Sequence, residues 1–198
     1  MRAARQGDFD GLCGLYAVIN ALDLAGCRRP RSPVHRKLFV GLAQALPGGK
    51  LRAAIGDGLG GRELIKAATL VFPGFRKSLG GLVTVSQPFR KATFETNEGF
   101  LEAMADIMAS SRSALILNVS TPAYNHWTVA QEITPRAIIV RDSGALKELP
   151  LGRFTIRRGP YRIPVTERSC PIAWCNCAVA VTALSGMAGL ISVPGWTG

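Results

Sequence analysis

Apolar residues recur at helical spacing through the first half of this chain and at strand spacing through the second. Leu12, Leu15, Tyr16, Ile19 and Leu22 fall at i, i+3, i+4, i+7 and i+10, one stripe that predicts a helix over 11–24. Asp10 stands where its cap is expected and Gly26 where it should stop. A second helix is predicted over 34–46, after the loop RRPRSP, with Ser32 as cap and Pro33 in the first position. The glycine-rich PGGKLRAAIGDGLGG reads as an exposed loop, and it lacks both the preceding strand and the Gly-Lys-Ser/Thr of a phosphate-binding loop. A third helix is predicted over 62–71, and a short strand over 82–87 closes at Pro88. Asn97 is placed as the cap of GFLEAMADIMASS, in which Phe100, Leu101, Met104, Ile107 and Met108 share one face.

Beyond this helix the period changes to two. SALILNV (113–119), HWTVAQEI (126–133) and RAIIVR (136–141) predict three strands separated by turn residues, with two more near 153–158 and 161–165. Helices first and an antiparallel sheet afterwards is an α+β pattern, its two halves packed together. The chain then carries no charged residue between 171 and 194, and AVAVTALSGMAGLISV approaches the ~20 residues that a membrane span needs. Asn176, Thr182, Ser185, Gly186 and Gly189 dilute its hydropathy. The organisation expected is a domain over 1–169 and an apolar segment over 170–198 that packs on it, or meets a partner or membrane surface.

Charge narrows the partners. With 24 Lys and Arg against 13 Asp and Glu, the 198-residue chain has a formal net charge of +11, which favours acidic partners. Its basic clusters, RRPRSPVHRK and FTIRRGPYR, lack the interleaved aromatics of a nucleic-acid motif and read as a solvated face, so no nucleic-acid partner is expected. The five cysteines are an odd number, and MRAARQGDFDG shows no apolar stretch of a secretory signal; reduced thiols and a cytoplasmic location are expected. Cys170, Cys175 and Cys177 are spaced five and two apart, unlike the matched pairs of a zinc site, so neither metal nor cofactor is expected.

One cysteine stands apart. In QGDFDGLCGLYAVINAL, Cys13 falls in the first turn of the predicted helix, where unpaired N–H groups and the macrodipole favour a negative charge and where a nucleophile can be exposed. Gly14 would leave room for a substrate backbone, while Asp8 and Asp10 are anions that an imidazolium must outweigh. Only His35 and His126 exist. His35 lies in a basic, proline-broken stretch read as loop, whereas His126 begins a strand with Trp127 beside it to shield it from water. Asp142 follows the next strand and would face His126 across a hairpin turning at Thr134 and Pro135, so it can orient the imidazole. Gln6 precedes the helix on the side of Cys13, where its amide and the Cys13 N–H would hold an oxyanion.

Gln6, the Cys13-Gly14 helix start, His126-Trp127 and Asp142, in that chain order, resemble the papain-like cysteine peptidases. Within them the pattern is most similar to the bacteriocin-processing peptidase domains attached to ABC exporters and their free-standing relatives. The resemblance covers the first helix and residues 97–143. It implies a papain-like fold with Cys13 as nucleophile, His126 as base, Asp142 as its orienter and Gln6 as oxyanion donor. DGLC, residues 10–13, also resembles the D-G-x-C of ovarian-tumour-type deubiquitinases, in which Asp10 would serve the oxyanion side instead. The expected function is a thiol hydrolase acting on a peptide or isopeptide bond, with Gly14, Trp127 and Asp10 lining the substrate. The same triad would serve an acyltransferase. From another class comes a catalytically silent module that binds an acidic protein or an anionic membrane through its basic face and apolar tail.

Overall fold

The computed structural model describes residues 11–27, 33–89, 92, 94–110, 112–120, 125–157, 172–175 and 179–184. Helix α1 spans Cys13–Leu24, with Leu12 as N-cap and no side-chain cap, so it starts later than a cap at Asp10 would set it. Its end is where the glycine predicts. Gly26 adopts a φ of +71°, the Cys27 N–H donates to the Leu22 carbonyl (2.9 Å) and the Gly26 N–H to that of Asp23 (3.1 Å). This left-handed closure satisfies carbonyls that the last turn would leave open.

Helix α2, Pro33–Gln44, corrects the reading of His35. The helix opens at Pro33 itself, so His35 joins Leu38 and Leu42 on one i, i+3, i+7 stripe and is 2% exposed. The glycine-rich stretch expected to be loop holds helix α3, Lys50–Asp57, between Gly49 (φ +77°) and Gly58 (φ +80°). Here the glycines frame a helix, because a left-handed φ is what its two ends require. Helix α4, Gly61–Val71, buries Leu64, Ala67 and Ala68 and runs into a 3-10 turn at Phe72–Phe75. Helix α5, Asn97–Ala109, is capped by Thr96, whose Oγ1 accepts from the Gly99 N–H (3.1 Å); Asn97, the expected cap, is the first helical residue.

The strands are β1 Leu82–Ser86, β2 Ser113–Ser120, β3 Asn125–Ile133, β4 Ala137–Arg141, β5 Glu148–Pro150, β6 Phe154–Arg157, β7 Ile172–Cys175 and β8 Val179–Leu184. They form one sheet in the order β1-β8-β2-β3-β4-β5, while β7 pairs with β2 and β6. Every pairing is antiparallel except β6 with β7. Two pieces of the uncharged C-terminal stretch are thus strands. β8 runs between β1 and β2, matching Leu82 to Leu184 and Ile116 to Val179. Among the described residues no helix is long and apolar enough to cross a membrane. The strand predicted at 161–165 and residues 185–198 lie outside the described residues.

Alternation along the strands builds two cores. Ala114, Ile116, Trp127 and Val129 pack with α1, α2 and α4 on one face of the sheet. Leu115, Leu117, Val119, Ala130, Ile138 and Val140 pack with Phe100 and Met104 of α5 on the other. The fold is α+β, with helices on both faces of the sheet.

Candidate functional site

Three elements converge on the candidate site: the start of α1, the start of β3 and the end of β4. The β3–β4 hairpin turns through Pro135 and Arg136, where the Thr134 N–H donates to the Ala137 carbonyl (2.9 Å) and Thr134 Oγ1 accepts from the Ala137 N–H (3.0 Å). Its register starts with Ile133 opposite Ile138 and slips by one residue between Ala130 and Glu132, leaving Gln131 bulged. Val129 then pairs with Arg141. One step further sets Asp142 against Thr128, so Asp142 is the diagonal neighbour of His126 and not its direct partner as expected. Long side chains still meet on that diagonal.

The meeting is close. His126 Nε2–H donates to Asp142 Oδ1 at 2.6 Å, with the two side chains 17% and 2% exposed. The other carboxylate oxygen, Oδ2, accepts the Gly144 N–H at 2.7 Å. Burial pushes the Asp142 carboxyl up, but its bond to His126, the imidazolium charge, the Gly144 N–H and the Thr128 hydroxyl outweigh burial and hold it below the usual carboxylate range. Burial likewise pulls His126 down, yet hydrogen bonds to Asp142 and Cys13 and the charges of both raise it to about 9. With Nε2 held by Asp142, Nδ1 is the ring nitrogen left for the Cys13 thiol.

Cys13 is the first residue of α1. Sequence reasoning expected an exposed thiol; Cys13 is 4% exposed, and Sγ lies 3.8 Å from the Gly11 carbonyl. Contacts between distant segments support these elements. The Gly11 N–H donates to the Ile55 carbonyl (2.7 Å), docking the end of α3 beside the start of α1. Trp127 Nε1–H donates to the Leu59 carbonyl at 2.6 Å, tying β3 to the α3–α4 loop. Trp127 itself is 3% exposed and part of the core, so it builds the wall behind the site.

The space at Gly14 has another use than the one expected of it. A Cβ there would lie 2.8 Å from Leu64 Cδ2, so Leu64 of α4, and not a substrate backbone, fills the volume that the glycine leaves. Gly61 does the same for β3, a Cβ there coming 3.4 Å from the Trp127 ring. Gln6 and Asp10 lie outside the described residues, as do Cys170 and Cys177. Cys27 is buried, and burial pushes its thiol up against the opposing charge and hydrogen bond of Arg112. Among the described residues no group of three or more His, Cys, Asp and Glu could hold a metal ion.

His126 is therefore held by the Asp142 carboxylate and coupled to the Cys13 thiol, so that the three side chains act together. A thiol so placed can give its proton to the imidazole, and the carboxylate stabilises the imidazolium that results. No family model matches this chain, and no curated protein matches it.

Proposed function

We propose that this protein is a papain-like thiol hydrolase that cleaves a peptide or isopeptide bond. The observation that carries the reading is His126, bonded through Nε2 to Asp142 at 2.6 Å and hydrogen-bonded to Cys13 at the start of a helix. His126 takes the thiol proton, and Cys13 Sγ attacks the carbonyl carbon to form the C–S bond. The oxyanion meets the Cys13 N–H, at a helix end without a side-chain cap, and by the sequence reading the Gln6 amide. As the C–N bond breaks, His126 returns its proton to the leaving amine. Water, deprotonated by His126, then cleaves the thioester and releases the acid. If an amine or alcohol replaces that water, the same residues perform acyl transfer.

The near-enclosure of Cys13 favours a second reading, a silent module of the same build that binds through exposed basic residues such as Arg36, Lys37, Lys50 and Arg52. Alkylation decides between them. Iodoacetamide at pH 6 should label Cys13 at least about tenfold faster than Cys27, since the thiolate is the reacting form, and His126→Ala should abolish the difference. A Cys13 that reacts no faster than Cys27 would overturn the hydrolase.

A further inference from the structure

Behind the site, α1 and β4 are joined by a buried ion pair. Arg141 Nη1 lies 2.5 Å from Asp23 Oδ2, and the two side chains are 9% and 5% exposed. Asp23 occupies the last turn of α1, where the helix dipole is negative and opposes a carboxylate. Burial pushes its carboxyl up further, against the charges of Arg141 and of His35 on α2. A buried pair of this kind is poor evidence of stability, because two apolar side chains of similar volume commonly serve as well or better. Its position suggests another use.

Arg141 ends β4, and its register partner Val129 faces the core that α1 completes. The next residue, Asp142, receives the His126 N–H. Consecutive residues therefore grip the two sides of the dyad, Arg141 the helix that carries Cys13 and Asp142 the imidazole. At the other end of α1, the Gly11 N–H is bonded to the Ile55 carbonyl. We propose that Asp23 and Arg141 are positioning residues, whose ion pair fixes α1 along its axis against the end of β4 and so holds the Cys13 thiol within hydrogen-bonding reach of His126. This rests on the reading of Cys13 and His126 as the reacting pair. A slide by the rise of one residue, about 1.5 Å, breaks that bond.

The test is the double variant Asp23→Leu/Arg141→Met, in which neither member of the pair is left buried without the other. It is compared with the parent by melting temperature, by Cys13 alkylation at pH 6 and by NMR titration of the imidazoles, the His126 signals assigned from His126→Ala. The expected result is a folded protein whose Cys13 alkylation falls at least about tenfold. His126 should titrate below about 9, because the part of its rise that Cys13 supplies is lost while Asp142 still holds the ring. A double variant that keeps the parent's alkylation rate and titration overturns the proposal. If that variant does not fold, Arg141→Lys replaces it: a melting temperature that falls while alkylation and titration stay parental also overturns it. The titration separates this inference from the function it rests on. A parent whose His126 titrates high but which cleaves no substrate loses the hydrolase reading, while the shift in the double variant still supports the positioning role. A parent whose His126 titrates near 6.5 removes both.

Discussion

The indole of Trp127 donates to the Leu59 carbonyl across 2.6 Å, and this bond fixes the strand that carries His126 against the loop between α3 and α4. Trp127→Phe keeps an aromatic side chain but shrinks the ring and leaves a buried carbonyl without its donor. It should cost about 1–3 kcal/mol of stability, read as a lower urea midpoint at unchanged slope. Because His126 is the preceding residue, the rate of Cys13 alkylation should fall as well.

Asp142→Asn removes the charge that keeps His126 protonated. Its imidazole should titrate well below about 9, and turnover of any substrate should drop by about 10²–10⁴. The effect on stability has a definite pH window. The folded His126 value is raised above 6.5, so its contribution is complete below that pH and disappears as the pH rises through about 9. The folded Asp142 value is lowered, so its contribution is present above about pH 4 and is lost as the pH falls further. The stability difference between parent and Asp142→Asn should therefore be greatest between about pH 4 and 6.5. A difference that grows toward pH 9 would contradict this coupling.

Gly11 and Gly14 flank the thiol and should differ in tolerance. A Cβ at Gly11 would sit 2.5 Å from the Ala54 carbonyl oxygen and 2.8 Å from that of Ile55, both backbone. At Gly14 the obstacle is the far end of the Leu64 side chain. Gly14→Ala should cost about 1–3 kcal/mol and be partly relieved by Leu64→Val. Gly11→Ala should cost more and slow Cys13 alkylation, because α3 or the start of α1 must move. Melting curves and alkylation rates of the three variants check the order.

Thr96→Ala removes the one oxygen that accepts from the Gly99 N–H at the start of α5. It should lower stability by about 1 kcal/mol in thermal or urea unfolding. Cys13 alkylation should be unchanged, since α5 packs on the face of the sheet away from α1.

Much of this was legible along the chain, where the physics is local. The apolar stripe of α1 and its stop at Gly26 follow from spacing and backbone preference, and the structure has both, while the β3–β4 turn falls at Pro135 and Arg136, one residue beyond the Thr134 and Pro135 expected. His126 and Asp142 were legible as partners because a hairpin brings the start of one strand to the end of the next. Local signals misled where two residues competed for one role. Thr96 and Asn97 are both acceptable caps, and the basic, proline-broken stretch around His35 invited a loop reading that the helical stripe of α2 overrules. Glycines mark φ freedom without saying whether it bounds a loop or a helix, which is why α3 went unseen.

The sequence by itself determined the period of α1, α2, α4, α5 and β1–β4 and where most of these end, because those signals lie within one or two turns of each other. It also named the four side chains proposed for the chemistry by residue type and chain order. What only the tertiary structure decided depends on contacts between distant segments. The bulge at Gln131 moves Asp142 onto the diagonal from His126, Leu64 fills the space at Gly14, and Leu59 receives the indole of Trp127. The pairing of Asp23 with Arg141 belongs here too. Each is a choice of which groups are left facing one another once the sheet is covered on both sides. Packing settles that choice for the whole core at once, because a buried polar group or a void costs free energy wherever it falls.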